Sequence, residues 1–315
     1  MTQTPERRRN AEPACAKALL FDYRQAANPV RAGLTEPIPY RAWGPELHSQ
    51  GPSGIIPLDL SVELGVAGPA TSPALAAHFI RIAAGEGVRA AATATSSLFF
   101  VLSGAGSCRY RDHADDTTIT WQEGDLFVLP AGGTPLLEAE STSVLYWVHD
   151  APLLNYLGVT PSGPRFEPTH YSANWLRSEL QTLADQPGSE ASNRISLLLA
   201  NRDLPSTRTV THVLWAMYGI VPPGSTQAPH RHQSVALDLI IDCKPRVYTL
   251  VGTELDDAGL IRNPKRIDWQ SGGAFITPPG HWHSHVNESG EPAWLLPIQD
   301  AGLQTYLRSL DIRFA

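Results

Sequence analysis

The stretch GGAFITPPGHWHSHVN, residues 272–287, carries histidines at 281, 283 and 285, and GSTQAPHRH, residues 224–232, adds two more. Side chains alternate between the two faces of a β-strand, so an HxH pair directs both imidazoles to one side. A third imidazole from another strand would complete one side of a metal's coordination shell and leave positions open for a ligand. The pattern therefore predicts a metal site built on β-strands.

One HxH pair alone is more typical of ordinary surface or hydrogen-bonded histidines. Here two groups occur, and each follows a turn rich in proline and glycine at a strand boundary, which favours the metal interpretation. Neutral imidazole binds iron, zinc, copper and nickel, so the ligand set by itself does not name the metal.

The composition indicates a compact, turn-rich protein. Of 315 residues, 27 are proline and 25 glycine, and the 17% charged and 42% hydrophobic contents exclude a disordered chain. A net charge of −7 argues against a nucleic-acid partner, which a basic face would mark. No apolar run approaches the roughly 20 residues that cross a bilayer, and no secretory signal is recognised. Because the three cysteines are far apart in the sequence, we expect a cytoplasmic protein.

The order of short apolar runs and turns divides the chain into four segments. Pro37, Pro39 and Pro45 prevent a long helix, so we expect residues 1–50 to form an irregular N-terminal arm. Residues 51–155 and 206–315 alternate short β-rich runs with turns, which is typical of an antiparallel sandwich or barrel. Residues 156–205 break this pattern and form a helical linker. We therefore predict a mainly β fold of two similar units.

Two helices are predicted. The segment 174–184 has one apolar face, and Asp185-Gln-Pro-Gly ends it. That face consists of Trp175, Leu176, Leu180 and Leu183. The second is a short C-terminal helix over 301–310.

The two histidine stretches resemble the sequence motifs of the cupin superfamily. The first fits G-x5-H-x-H, and the second fits G-x5-P-x-G-x2-H-x3-N at every defined position. The resemblance implies that both units are jelly-roll barrels, that is, double-stranded β-helices. It also implies that His230, His232 and His283 are the metal ligands.

The first unit resembles a degenerate cupin. The segment 124–135 keeps the turn of the second motif but has Pro135 at the ligand position, and residues 90–97 contain no histidine. We expect this unit to bind no metal and to serve packing or assembly. His113 and His149 are then solvent-facing or structural.

The stretches HRHQSVAL (230–237) and TPPGHWHSHVN (277–287) resemble the gentisate 1,2-dioxygenase group, over roughly residues 190–300. Ala236 and Leu237 stand where many cupins have a glutamate ligand, which agrees with that group's three-histidine site. The resemblance implies a mononuclear non-haem Fe(II) dioxygenase, with one iron per chain. Its reaction would use O2 to cleave a hydroxylated aromatic ring, gentisate-like, salicylate-like or aminophenol-like. Arg194 and Trp215 fall at pocket positions of the group.

Two features depart from that group. The metal motifs lie in the C-terminal unit instead of the N-terminal one, and Asp238 replaces an arginine that holds the substrate carboxylate. Asp238 shares strand parity with His230 and His232, so it should face the barrel interior. A carboxylate there would repel a carboxylate substrate, which predicts an amine or hydroxyl substituent or a different binding pose. Alternatively, Asp238 pairs with Arg194 or another internal arginine.

Other polar residues near the motifs are further candidates. His285 follows His283 by two residues, so it lies on the same face and is the candidate acid/base group. His281 has the same parity but lies in the turn. His281, Gln299 and Asp300 are weaker candidates.

Two other classes of function remain open, because the function of a cupin follows its site. One is another metal-dependent enzyme, such as a lyase, an isomerase or a non-ring oxygenase. The other is a metal-binding sensor without catalysis. We expect a homo-oligomer with no nucleic-acid or membrane partner.

Overall fold

The computed structural model describes residues 17–111, 116–189 and 195–315. The chain divides into two compact units between Ile38 and Pro39. Within the first unit, helix α1 spans Tyr23–Ala26. No helix in the described ranges is long and apolar enough to cross a membrane.

The first half of the second unit contains one jelly roll of antiparallel strands, and its short first strand joins the other barrel. Its elements, in chain order, are β1 (Ala42–Trp43), α2 (Glu46–Ser49), β2 (Gly54–Pro57), α3 (Ser61–Leu64), β3 (Ala76–Ile82), β4 (Gly87–Arg89), β5 (Ser96–Ser103), β6 (Ala105–Arg111), β7 (Asp116–Gln122), β8 (Leu126–Pro130), β9 (Leu136–Ala139), β10 (Ser143–His149), α4 (Ala151–Leu157), β11 (Thr169–Tyr171) and α5 (Ala173–Ala184). One sheet has the order β11-β8-β5-β10-β3-β2 and the other β4-β9-β6-β7. Strands that are neighbours in a sheet but distant in sequence, such as β3 and β10, are linked by the crossover connections that are typical of a jelly roll. These two sheets form the first barrel.

The second half repeats this architecture. Its elements are β12 (Ile195–Leu199), β13 (Trp215–Val221), β14 (His230–His232), β15 (Ala236–Asp242), β16 (Val247–Gly252), β17 (Lys265–Asp268), β18 (Ala274–Thr277), β19 (Trp282–Asn287), β20 (Ala293–Gln299), α6 (Ala301–Leu307) and β21 (Ile312–Phe314). The sheets β1-β18-β15-β20-β13-β12 and β17-β16-β19-β14-β21 form the second barrel. The mainly β fold with two cupin barrels is thus confirmed.

Each barrel encloses its own apolar core. In the first barrel, the ring of Phe99 stacks between Phe127 at 4.8 Å and Trp147 at 5.7 Å, and all three side chains are buried. In the second barrel, Phe275 and Trp269 pack with aliphatic side chains such as Ile240. These cores hold the two sheets of each barrel together.

The strand registers show which residues of the two barrels correspond. His149 pairs with Ser97 in the first barrel, and Gln299 pairs with Ala236 in the second. The residue after each is an aspartate that accepts a backbone N–H from the start of the neighbouring strand: Asp150 from Ser96, and Asp300 from Val235.

Ser97 and Ala236 are therefore equivalent positions. Six and four residues before Ser97 are Ala91 and Thr93, and six and four residues before Ala236 are His230 and His232, so Ala91 corresponds to His230 and Thr93 to His232. Leu129 pairs with Ser97 as Thr277 pairs with Ala236, so Pro135 corresponds to His283. The first barrel therefore has no imidazole at any of the three positions predicted to bind metal in the second.

Several elements differ from the sequence-based expectation. β1 comes from the segment predicted as an irregular arm and pairs with β18, while β11 and β12 come from the predicted linker. The domain boundaries themselves stay a prediction. His149 is only 4% exposed, so the solvent-facing alternative is wrong for it, and His113 lies outside the described residues.

The predicted linker helix is α5, and Ser172 caps it by accepting the N–H of Trp175. Leu176 and Leu180 are buried on its apolar face, as expected. Trp175 is 53% exposed instead, because its ring stacks on Tyr171 and its indole N–H donates to Glu179. The terminal helix is shorter than predicted. It ends at Leu307, because the next residue, Arg308, has a left-handed backbone conformation.

Candidate metal centre

Three neighbouring strands of the second barrel bring the histidines together. His230 on β14 pairs directly with His283 on β19, and His285 pairs with Thr249 on β16. The centroids of the His230 and His283 rings are 3.9 Å apart. The HxH spacing places residues 283 and 285 on the same face of β19, as the sequence predicted.

His230, His232, His283 and His285 are all buried, with at most 3% exposure. One nitrogen atom each of His230, His283 and His285 lies within 4.8 Å of the others, so these three could hold a metal ion. The ring of His232 lies 4.9 Å from that of His283 and 6.5 Å from that of His230. His232 and His285 therefore both lie next to the pair formed by His230 and His283.

Hydrogen bonds at the ring Nδ1 atoms distinguish these histidines. The Nδ1 atoms of His230, His232 and His283 lie 3.3, 2.9 and 3.1 Å from the carbonyl oxygens of Ala228, Ser234 and His281. A carbonyl only accepts, so each Nδ1 carries the proton and donates. An imidazole in this tautomer would bind a metal through Nε2, as in metal sites whose histidines are oriented by carbonyl groups. Three buried imidazoles with this tautomer would fit a divalent transition metal as neutral ligands.

His285 has a different partner. Its Nδ1 lies 2.8 Å from the hydroxyl oxygen of Thr249, and the indole N–H of Trp269 donates to the same oxygen at 2.8 Å. In one arrangement the Thr249 hydroxyl accepts the indole N–H of Trp269 and donates its own proton to His285 Nδ1. In that arrangement a neutral His285 ring would carry its proton on Nε2.

The weaker candidates Gln299 and Asp300 support the strand that carries His232. The amide oxygen of Gln299 accepts from the Ser234 hydroxyl at 2.7 Å, and that hydroxyl oxygen lies 3.0 Å from His232 Nδ1. Asp300 accepts the N–H of Val235 at 3.0 Å. Burial raises the pKa of Asp300 to about 6.

Asp238 is 2% exposed and lies on the same side of β15 as Ile240, which is part of the apolar core. Its carboxylate accepts from the hydroxyl of Thr277 at 2.8 Å. The interior orientation inferred from strand parity therefore agrees with the structure. Trp215 shares the side of β13 that carries the core residue Val221. Arg194 lies outside the described residues.

His281 stays in the turn and packs edge-on against Tyr40 at 5.2 Å. It contributes its carbonyl oxygen to His283, and its own Nδ1 lies 3.1 Å from Pro279 O.

Sequence reasoning missed Thr249, Trp269 and Phe314. Phe314 lies on β21, which pairs with β14, and its ring stacks on His230 at 5.9 Å. Burial alternates along β16, whose sequence is VYTLVG, and Thr249 lies on its buried face. Strand alternation could have predicted that face, but it could not have predicted the pairing of Thr249 with His285.

Known proteins resemble this chain in sequence over about a third of its length and in fold over most of it. A gentisate 1,2-dioxygenase from Aquipseudomonas alcaligenes is 32% identical over 103 residues, which cover 33% of this chain and 26% of that enzyme. A 5-aminosalicylate 1,2-dioxygenase from a Comamonas species is 28% identical over 117 residues, covering 37% of this chain and 28% of that enzyme. The matches thus span little more than a quarter of these relatives' lengths. No family model matches the chain.

A solved salicylate 1,2-dioxygenase from Pseudaminobacter salicylatoxidans superposes with a TM-score of 0.67, covering 89% of both chains at 14% identity. The chain shares the two-barrel fold of that enzyme and resembles the gentisate 1,2-dioxygenases over about a third of its sequence. A likeness at this identity establishes the fold, and the chemistry has to come from the histidine cluster.

Proposed function

We propose that this cupin is a mononuclear non-haem Fe(II) dioxygenase that cleaves a hydroxylated aromatic ring with O2. The observation that carries the proposal is the set of buried histidines on β14 and β19 whose Nδ1–H groups donate to backbone carbonyls. The sequence likeness to ring-cleaving dioxygenases supports iron over the other metals that imidazole binds.

His230, His232 and His283 are the proposed ligands, through Nε2. Held by these residues, Fe(II) would supply the redox chemistry that couples a hydroxylated ring to O2. The protein contributes fixed imidazoles, a water-poor barrel interior and hydrogen bonds that orient each ring.

His285 is the proposed proton donor to a substrate oxygen. It lies beside the proposed ligands, since its ring centroid is 5.7 Å from that of His283. The indole N–H of Trp269 donates to the Thr249 hydroxyl, which in turn donates to His285 Nδ1. The proton of His285 is then held on Nε2, on the side of the ring away from Thr249.

Asp238 is the proposed selector of the substrate's second substituent. A buried carboxylate repels a carboxylate and favours a group that donates hydrogen bonds. The relative named for 5-aminosalicylate acts on a ring that carries an amino group in addition to the hydroxyl and the carboxylate of salicylate, so it supports the amino substituent and not the loss of the carboxylate. We propose an aminophenol-like or polyhydroxylated substrate, with Trp215 as a wall of the pocket. Arg194 would contact a further substituent of the ring where that substituent is anionic.

Oxygen-electrode traces with the Fe(II)-loaded protein test this proposal. We expect O2 uptake with 2-aminophenol-type or dihydroxylated rings to exceed that with gentisate, because the carboxylate of gentisate meets Asp238. Asp238→Asn removes the charge and keeps the shape, so it should raise the relative rate with gentisate by about tenfold or more, equivalent to about 1.4 kcal/mol. Gentisate as the best substrate of the unchanged protein would contradict the role of Asp238. Anaerobic turnover would instead favour a lyase or an isomerase.

The remaining expectations stand as predictions. They are a cytoplasmic location, a homo-oligomeric state, and the absence of nucleic-acid and membrane partners. If His283→Ala abolished metal binding but left the biological output intact, both enzyme interpretations would fail and a sensor role would replace them.

A further inference from the structure

The first barrel has an open cavity where the second has its histidines. Ala91, Thr93 and Pro135 occupy the positions that correspond to His230, His232 and His283. The cavity is about 410 Å³ in volume. Its lining includes Ile55, Pro57, His78, Ala91, Thr93 and Trp147.

A pair of histidines on the opposite sheet contributes to the lining of this cavity. His78 on β3 and His149 on β10 share strand parity with the core residues Ile80 and Trp147, so both face the barrel interior. Their Nε2 atoms are 3.0 Å apart, and both side chains are at most 4% exposed. With Trp147, whose ring centroid is 4.8 Å from that of His78, they form an aromatic floor.

The backbone determines where the protons of this pair lie. The N–H of Ala151, at the start of α4, donates to His149 Nδ1 at 3.3 Å. The proton of neutral His149 is therefore on Nε2, from which it donates to Nε2 of His78.

The cavity is electrically neutral. Burial lowers the pKa of His78 to about 4, although Asp59 acts in the opposite direction, and burial likewise lowers the pKa of His149. None of the lining residues is an aspartate, glutamate, lysine or arginine. An ionic ligand would therefore lose its hydration without gaining a countercharge.

We propose that this cavity of the first barrel binds a small uncharged aromatic molecule with a hydroxyl group, that is, a phenol. Apolar walls of isoleucine, proline and alanine over an aromatic floor suit a planar ring, because pockets for small molecules are mostly apolar with a few placed polar groups. Thr93 and Asn155 provide those polar groups. The volume suffices, since a cavity of about 150 Å³ accommodates benzene. The site shares no residue with the metal centre, so it does not depend on the proposed reaction.

Fluorine NMR with 4-fluorophenol and the full-length protein tests this site. Ala91→Trp and Thr93→Trp each fill the cavity from an exposed position, and we expect each to weaken binding by at least about tenfold. Ala258→Trp, in an exposed turn of the second barrel, is the matched control and should bind as the unchanged protein does. The anionic probe 4-fluorobenzoate should show no binding that depends on Ala91.

Equal 4-fluorophenol affinity of the unchanged protein and both cavity-filling variants would overturn the proposal, since all binding would then lie elsewhere. The absence of saturable binding to the unchanged protein would overturn it as well. Tighter binding of 4-fluorobenzoate than of 4-fluorophenol at the Ala91-dependent site would contradict the uncharged ligand class. Thermal unfolding of each variant separates loss of binding from loss of fold.

Discussion

His283→Ala is expected to abolish stoichiometric metal binding. His283 is the central member of the cluster, because its ring lies 3.9 Å from that of His230 and 4.9 Å from that of His232. Loss of a group that only orients a ligand costs about 10–100-fold in metal affinity, and loss of a ligand itself should cost more. Anaerobic loading with Fe(II), followed by elemental analysis, measures the effect.

The matched control is His281→Ala. His281 is two residues away in the same stretch but packs in the turn against Tyr40, so this variant should keep its metal. Retention of one iron per chain by His283→Ala would contradict the assignment of the ligands.

The same measurement decides between the two triads that share His230 and His283. Because His232 Nδ1 faces a carbonyl and His285 Nδ1 faces the Thr249 hydroxyl, His232→Ala should lose the metal and His285→Ala should retain it. The reverse outcome would assign the third ligand to His285.

Thr249→Val should lower kcat by about 100-fold or more, within the range of general acid–base contributions, while the metal content stays unchanged. Valine has the shape of threonine but cannot donate to His285 Nδ1, so the proton is no longer held on Nε2. Thr249→Ser keeps the hydroxyl and should keep most of the activity. Steady-state kinetics across pH, with iron content measured in parallel, check this expectation.

The valine substitution also leaves the buried indole N–H of Trp269 without its partner, which costs about 1–3 kcal/mol of folding free energy. A double variant, Thr249→Val with Trp269→Phe, removes that donor and should recover part of the stability without recovering the rate. Equal kcat for the valine and serine variants would show that the Thr249 hydroxyl has no role in catalysis.

The sequence was sufficient to predict the mainly β fold, and it located the histidine cluster. Alternation along a strand determines which side a residue faces, and this placed His283 with His285, and Asp238 toward the interior. The Pro-Pro-Gly sequences at 222–224 and 278–280 could be predicted as turns from the residues alone, because proline fixes its backbone angle φ and glycine permits a positive φ.

Pairing between distant segments could not be predicted in this way. β1 and β21 are only two and three residues long, and each pairs with a strand that is distant in sequence. The relay from Trp269 through Thr249 to His285 requires the register of β16 against β19, which no local pattern contains. The exposure of Trp175 likewise depends on its neighbour Tyr171 and not on the helical period.

The most direct test of the central claim is the fate of isotopically labelled O2 in the reaction of the Fe(II)-loaded protein with its best phenolic substrate. Mass spectrometry of the product should find both atoms of one O2 molecule in a single ring-opened compound. Formation of the product without O2, or a product that contains one labelled oxygen atom or none, would contradict a ring-cleaving dioxygenase.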